Sequence, residues 1–141
     1  MDMFKTIYEL GIIPVVAIDD ADKAVPLAKA LSEGGLPAAE ITFRTAAAEE
    51  SIRRITEECP DVLVGAGTVL TKEQADRAVA AGAKFIVTPG FNPEMVKYIQ
   101  SLGIPMMPGA ATPGEMEQVV LKKADLLQAG FDTITITTEE E

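Results

Sequence analysis

Two rhythms alternate along the chain. Short apolar runs rich in β-branched residues give way to longer stretches in which apolar residues recur every three to four positions. Met3 to Leu10 has the helical rhythm and closes at Gly11. Ile12 to Ile18 is an unbroken apolar run, which predicts a buried parallel strand. Asp19 and Asp20 offer an N-cap to a helix over Ala21 to Glu33, stopped by Gly34-Gly35. Pro26 within it marks a kink or a first-turn position. A strand over Ala38 to Phe43 and a helix over Ala46 to Cys59 follow, the helix ended by Pro60. Val62 to Val69 reads as a third strand, and Thr71 caps a helix that closes at Gly82. Lys84 to Thr88 is a fourth strand; Asn92-Pro93 opens a helix with a cap and a proline at its first position. Ile104 to Met107 is a fifth strand, and Thr112-Pro113 opens a helix to about Ala129. Thr133 to Thr138 alternates Thr and Ile, a sixth strand pattern.

Strands alternating with helices at this spacing form an α/β fold with a parallel sheet and right-handed crossovers. About six strands are too few for an eight-stranded βα barrel of about 250 residues. The expectation is one domain over 1–141, either an open three-layer sheet of the flavodoxin-like kind or an incomplete barrel. Arg44, Thr68, Thr88 and Gly90 fall at strand carboxyl ends, the functional side of both architectures.

One strand carries charge. In Ala38 to Thr45, alternation places Glu40, Thr42 and Arg44 on one face and Ala39, Ile41 and Phe43 on the other. Polar and charged groups on a buried face are costly unless paired or used. That face is either the wall of a polar site or a salt-bridged strand end near solvent.

Composition removes several functions. A net charge of -10 argues against nucleic-acid binding, which needs cations to neutralise phosphates, and against an anionic membrane surface. A small anion remains open, since one local Arg outweighs a distant acidic surface. The absence of His excludes a His general base and a His metal site. Cys59 is the only cysteine, which fits a reducing cytoplasm, and its place at a helix end reads as packing. No apolar run approaches a membrane span and no signal peptide is visible. Neither a G-x-G-x-x-G nor a Walker pattern occurs; Gly65-Ala66-Gly67 is followed by Thr-Val-Leu.

Four stretches together resemble a family. E-I-T-F-R-T (Glu40 to Thr45), G-A-G-T-V (Gly65 to Val69), F-I-V-T-P-G-F-N-P (Phe85 to Pro93) and M-P-G-A-A-T-P-G-E-M (Met107 to Met116) are similar to the bacterial 2-keto-3-deoxy-6-phosphogluconate and 4-hydroxy-2-oxoglutarate aldolases. The resemblance runs from about Phe4 to Gln118. It implies a βα barrel and class I chemistry, in which a lysine forms a Schiff base that serves as electron sink. It implies Glu40 as general acid/base, Arg44 as the holder of a substrate carboxylate or phosphate, and Thr68 and Pro89 as contacts of the pyruvyl group. It implies no metal and no other cofactor.

The tail departs from this pattern. The family's nucleophilic lysine lies on its sixth strand; matching Gly130 and Asp132 to the residues before that strand puts Thr135 in the lysine's place. Lys84 precedes its strand, Lys72 and Lys97 lie on helix patterns, and Lys122 and Lys123 are mid-helix. The expectation is an aldolase-derived scaffold, catalytically silent, with a foreign or designed helix-strand tail over 119–141. The alternative is a pyruvate-dependent class I aldolase. Partners would be a small anionic keto acid at most, with a second copy pairing through open sheet edges, and neither nucleic acid nor membrane.

Overall fold

The computed structural model describes residues Met3 to Val119. Helix α1 (Met3–Leu10) precedes strand β1 (Val15–Val16). A single 3-10 turn, Ala21–Lys23, leads into α2 (Ala24–Glu33), then β2 (Ala38–Thr42) and α3 (Ala48–Glu58). The series continues with β3 (Leu63–Gly67), α4 (Lys72–Ala80), β4 (Ile86–Thr88), α5 (Pro93–Ser101) and β5 (Met106–Pro108). Residues 113–119 begin a further helix. The expected sixth strand, Thr133 to Thr138, and Lys122 and Lys123 lie outside the described residues.

The strands form one parallel sheet in the order β1-β2-β3-β4-β5. Each strand adds to the same side of its predecessor, and right-handed crossovers then put the linking helices on one face. A flavodoxin-like sheet needs a reversal of order at a switch point. The described strands contain none, so their winding is that of an incomplete barrel, and the sheet is not closed.

Local signals set the boundaries. Asp20 accepts from the Asp22 amide at 3.0 Å, and Thr71 with Gln74 completes a reciprocal capping box. Asn92 accepts from the Glu94 amide, with Pro93 at the first helical position. Pro26 lies in the first turn of α2, where a missing N–H leaves no helical bond unmade. β1 is shorter than its apolar run: among the described residues it is an edge strand with one neighbour, and Pro14 has no amide to add to the ladder.

The main core lies between sheet and helices. Ile41, Val64 and Ile86 meet Ile52, Ile55 and Ile99, all fully buried, and Cys59 packs among them. Outside, ion pairs run Asp22–Arg54–Glu50–Arg53–Glu49–Arg77 across three successive βα units. These are largely solvated, so each contributes little. No helix among the described residues is long and apolar enough to cross a membrane.

Candidate functional site

The site begins with strand register. Glu40 pairs with Gly65 and Thr42 with Gly67, so these four share the sheet face opposite the main core. Both positions on β3 lack side chains. A Cβ on Gly65 would lie 2.2 Å from the ring of Phe85, which is fully buried. A Cβ on Gly67 would lie 2.0 Å from Glu40 Oε1 and 3.0 Å from Val87 Cβ. The first glycine is a seat for an aromatic ring, and the second is a seat for a carboxyl group. The Glu40 side chain thus runs along its strand toward the carboxyl end and lies over Gly67.

Glu40 is only 9% exposed. Burial pushes its carboxyl pKa up, and the Arg44 guanidinium offsets part of that rise. Thr42, one step nearer the strand end, is 4% exposed, and its hydroxyl has no hydrogen-bond partner.

The structure corrects the expected position of Arg44. Strand β2 ends at Thr42, and residues 43–47 form turns that carry Arg44 off the strand face into solvent. It still acts electrostatically on Glu40. Phe43 turns away to lie under the Arg77 guanidinium, 5.9 Å from ring centre. Thr68, half-buried, follows β3, and exposed Pro89 follows β4. Glu40, Arg44, Thr68 and Pro89 therefore all belong to the carboxyl end of the sheet. Thr135 lies outside the described residues.

The β4 and β5 ends are locked together. Thr88 Oγ1 donates to the Gly90 carbonyl at 3.0 Å, and the Gly109 amide donates to the Thr88 carbonyl at 2.9 Å. A Cβ on Gly109 would lie 2.4 Å from the Pro89 carbonyl oxygen. Glu115 accepts from the amides of Ala111 and Thr112, which hold its carboxyl below the usual range. A cleft of about 220 Å³ behind this lock is lined by Leu70, Thr88, Phe91 and Met95, without Glu40 or Arg44. A larger one, about 560 Å³, opens at the opposite end of the strands beside Met3, Leu63 and Lys84.

None of the described strands contains a lysine. Lys84 is at the amino end of β4, as its sequence position implied, and Lys72 opens α4 with its ammonium 5.1 Å over the Tyr98 ring. Among the described residues no group of three or more His, Cys, Asp or Glu side chains could hold a metal ion. The pair of glycines is what sequence reasoning missed. Their signal was a G-A-G at the end of the strand after Glu40, the spacing that clears two consecutive positions on one face.

Comparison with known proteins bears on this arrangement. A family model described as KDPG and KHG aldolase matches residues 4–135. The chain belongs to that family. The match reaches past Gln118, where the resemblance carried by the four motifs ends. The 2-dehydro-3-deoxy-phosphogluconate aldolase of Treponema pallidum is 49% identical over 118 residues, covering 84% of this chain and 56% of the relative. A KDPG aldolase from Legionella pneumophila, solved with pyruvate captured as a covalent carbinolamine intermediate, superposes with a TM-score of 0.74 at 37% identity. That match covers 86% of this chain and 56% of the other. A designed cube-shaped protein cage made by fusing symmetric oligomeric domains superposes with a TM-score of 0.67 at 30% identity, covering 88% of this chain and 45% of the cage chain. The chain spans about half the length of the curated aldolase relatives it matches.

Proposed function

We propose that the carboxyl end of this sheet binds a small anionic 2-keto acid and moves a proton on it through Glu40, without forming a covalent adduct. The observation that carries the reading is the Glu40 carboxyl. It is buried, its pKa is raised, and it is seated over a glycine at the functional end of a parallel sheet. A carboxyl shifted toward neutrality can both accept and return a proton. In this reading Arg44 offers a planar fork to the substrate carboxylate, and Thr68 and Pro89, which follow β3 and β4, contact the pyruvyl group. Aldol cleavage needs more: an amine to form the iminium that receives the electron pair. No strand of the described sheet supplies one, which favours binding and slow enolisation over cleavage.

The test has two readings from one sample. Borohydride reduction in the presence of pyruvate, read by intact mass, reports a Schiff base. Exchange of pyruvate methyl protons in heavy water reports enolisation. Exchange that Glu40→Gln abolishes, with no mass adduct, supports the proposal. A reduced adduct would instead support a class I aldolase, and peptide mapping would name its lysine. No exchange and no adduct overturns both.

We also infer that a second copy pairs with the β1 edge, which no other described strand covers. Val15 is 65% exposed beside that edge, and open edges of apolar strands pair readily. The designed cage, built by fusing symmetric oligomeric domains, supports self-association among similar chains. Sedimentation showing a monomer at all concentrations refutes it.

A further inference from the structure

We propose that the Thr42 hydroxyl is the positioning partner of the Glu40 carboxyl, accepting its hydrogen bond when that carboxyl is protonated and donating to it when it is ionised. The proposal rests on Glu40 as the proton-moving group, but not on a bound ligand.

The geometry begins with an unpaired polar atom. Thr42 Oγ1 is buried and has no partner. A buried hydroxyl left unpaired is costly, and native structures keep few of them. Thr42 stands two residues after Glu40 on the same strand face. Its register partner across the ladder is Gly67, which contributes no side chain. The point where a Gly67 Cβ would sit is 2.0 Å from Glu40 Oε1. Neighbouring strands are about 5 Å apart. The carboxyl oxygen therefore lies beside Thr42, one step up from its own ladder partner, Gly65. The two oxygens are not bonded as they stand, and joining them requires a turn about Thr42 χ1 or a swing of the carboxyl.

The chemistry suits both protonation states. A hydroxyl is both donor and acceptor, so it can answer a neutral carboxyl and an ionised one. Donation to the ionised form is the stronger bond. Thr42 then keeps the carboxyl over Gly67 throughout a proton transfer. The neighbouring elements offer little competition. Val15 on β1, Gly65 and Gly67 on β3 and Val87 on β4 do not titrate, and Arg44 is the one charged group acting on Glu40 among the described residues.

The test is a carbon-13 NMR titration of the Glu40 carboxyl in the free protein, assigned with Glu40→Gln. Thr42→Val removes the hydroxyl and keeps the shape. It should move the Glu40 midpoint upward, since the ionised form loses its donor, and Thr42→Ser should restore it. An unchanged or lowered midpoint overturns the proposal. Should Thr42→Val not fold, Thr42→Ala carries the same midpoint expectation. Ligand-free titration keeps this result separate from the keto-acid reading, which stands or falls on pyruvate exchange.

Discussion

Gly67→Ala separates the site from the scaffold more sharply than any other single change. The new methyl carbon would lie 2.0 Å from Glu40 Oε1 and 2.7 Å from its Cδ. Ordinary non-bonded contact needs about 3.4 Å, so the carboxyl must retreat by roughly 1.4 Å. That retreat is cheap for the fold, because the displaced group is the free end of a flexible side chain. Val87 Cβ, at 3.0 Å, must yield only a few tenths of an ångström. Gly67 is not among the positive-φ glycines, so alanine is tolerated there, and it removes unfolded-state freedom worth about 0.4–1 kcal/mol. The melting temperature should therefore stay close to the parent's. The site should suffer, since a misplacement of about 1 Å can cost roughly 100-fold in rate. The displaced carboxyl moves toward solvent, so its titration midpoint should fall back toward the ordinary glutamate range. Gly65→Ala is the control on the same strand face. Its methyl meets Phe85, a fully buried ring with no free end, and overpacking of that kind costs about 1–3 kcal/mol. NMR titration of Glu40 and thermal melting of both variants provide the comparison. A Gly67→Ala protein that keeps the raised Glu40 midpoint, or melts as early as Gly65→Ala, would refute the reasoning.

Three further outcomes are expected. Because the folded-state pKa of Glu40 is raised, the native state holds its proton more tightly, and stability from this group declines as pH rises from about 4 through the raised value. Glu40→Gln should accordingly raise the melting temperature at pH 7 and lose that advantage below about pH 4. Thr71→Ala dissolves the capping box of α4 and should lower stability by about 1 kcal/mol in chemical denaturation. Gly109→Ala drives a methyl against the Pro89 carbonyl, which is backbone and cannot swing aside, so proteolysis should reach the 89–92 turn faster than in the parent.

The sequence made the βα alternation legible because its signals are local: apolar runs, Thr71 and Asn92 as caps, glycines after helices. Glu40 was legible as a charged residue in a buried strand. Strand alternation wrongly extended that face to Arg44, because the turn that ends β2 is set by the loop's return to α3 and not by periodicity. The Gly65 and Gly67 seats were invisible for a different reason. Which residue stands across the ladder from Glu40 and Thr42 depends on register, and register is a property of two strands together. Phe85 showed no sign of belonging to the site face until its partner glycine was known.

The uninterrupted strand order has a kinetic consequence. Among the described residues every pair of touching strands is consecutive in the chain, with only 20 to 25 residues between register partners such as Val15 and Glu40, or Ile86 and Met106. Closing loops of that length carries a modest and nearly constant entropy, and among the described strands no early one waits for a late one. The sheet can grow as the chain leaves the ribosome, each unit docking on a finished neighbour. Glu40 and Gly67 stand on β2 and β3, so the two halves of the seat can meet before β4 brings Val87 against them.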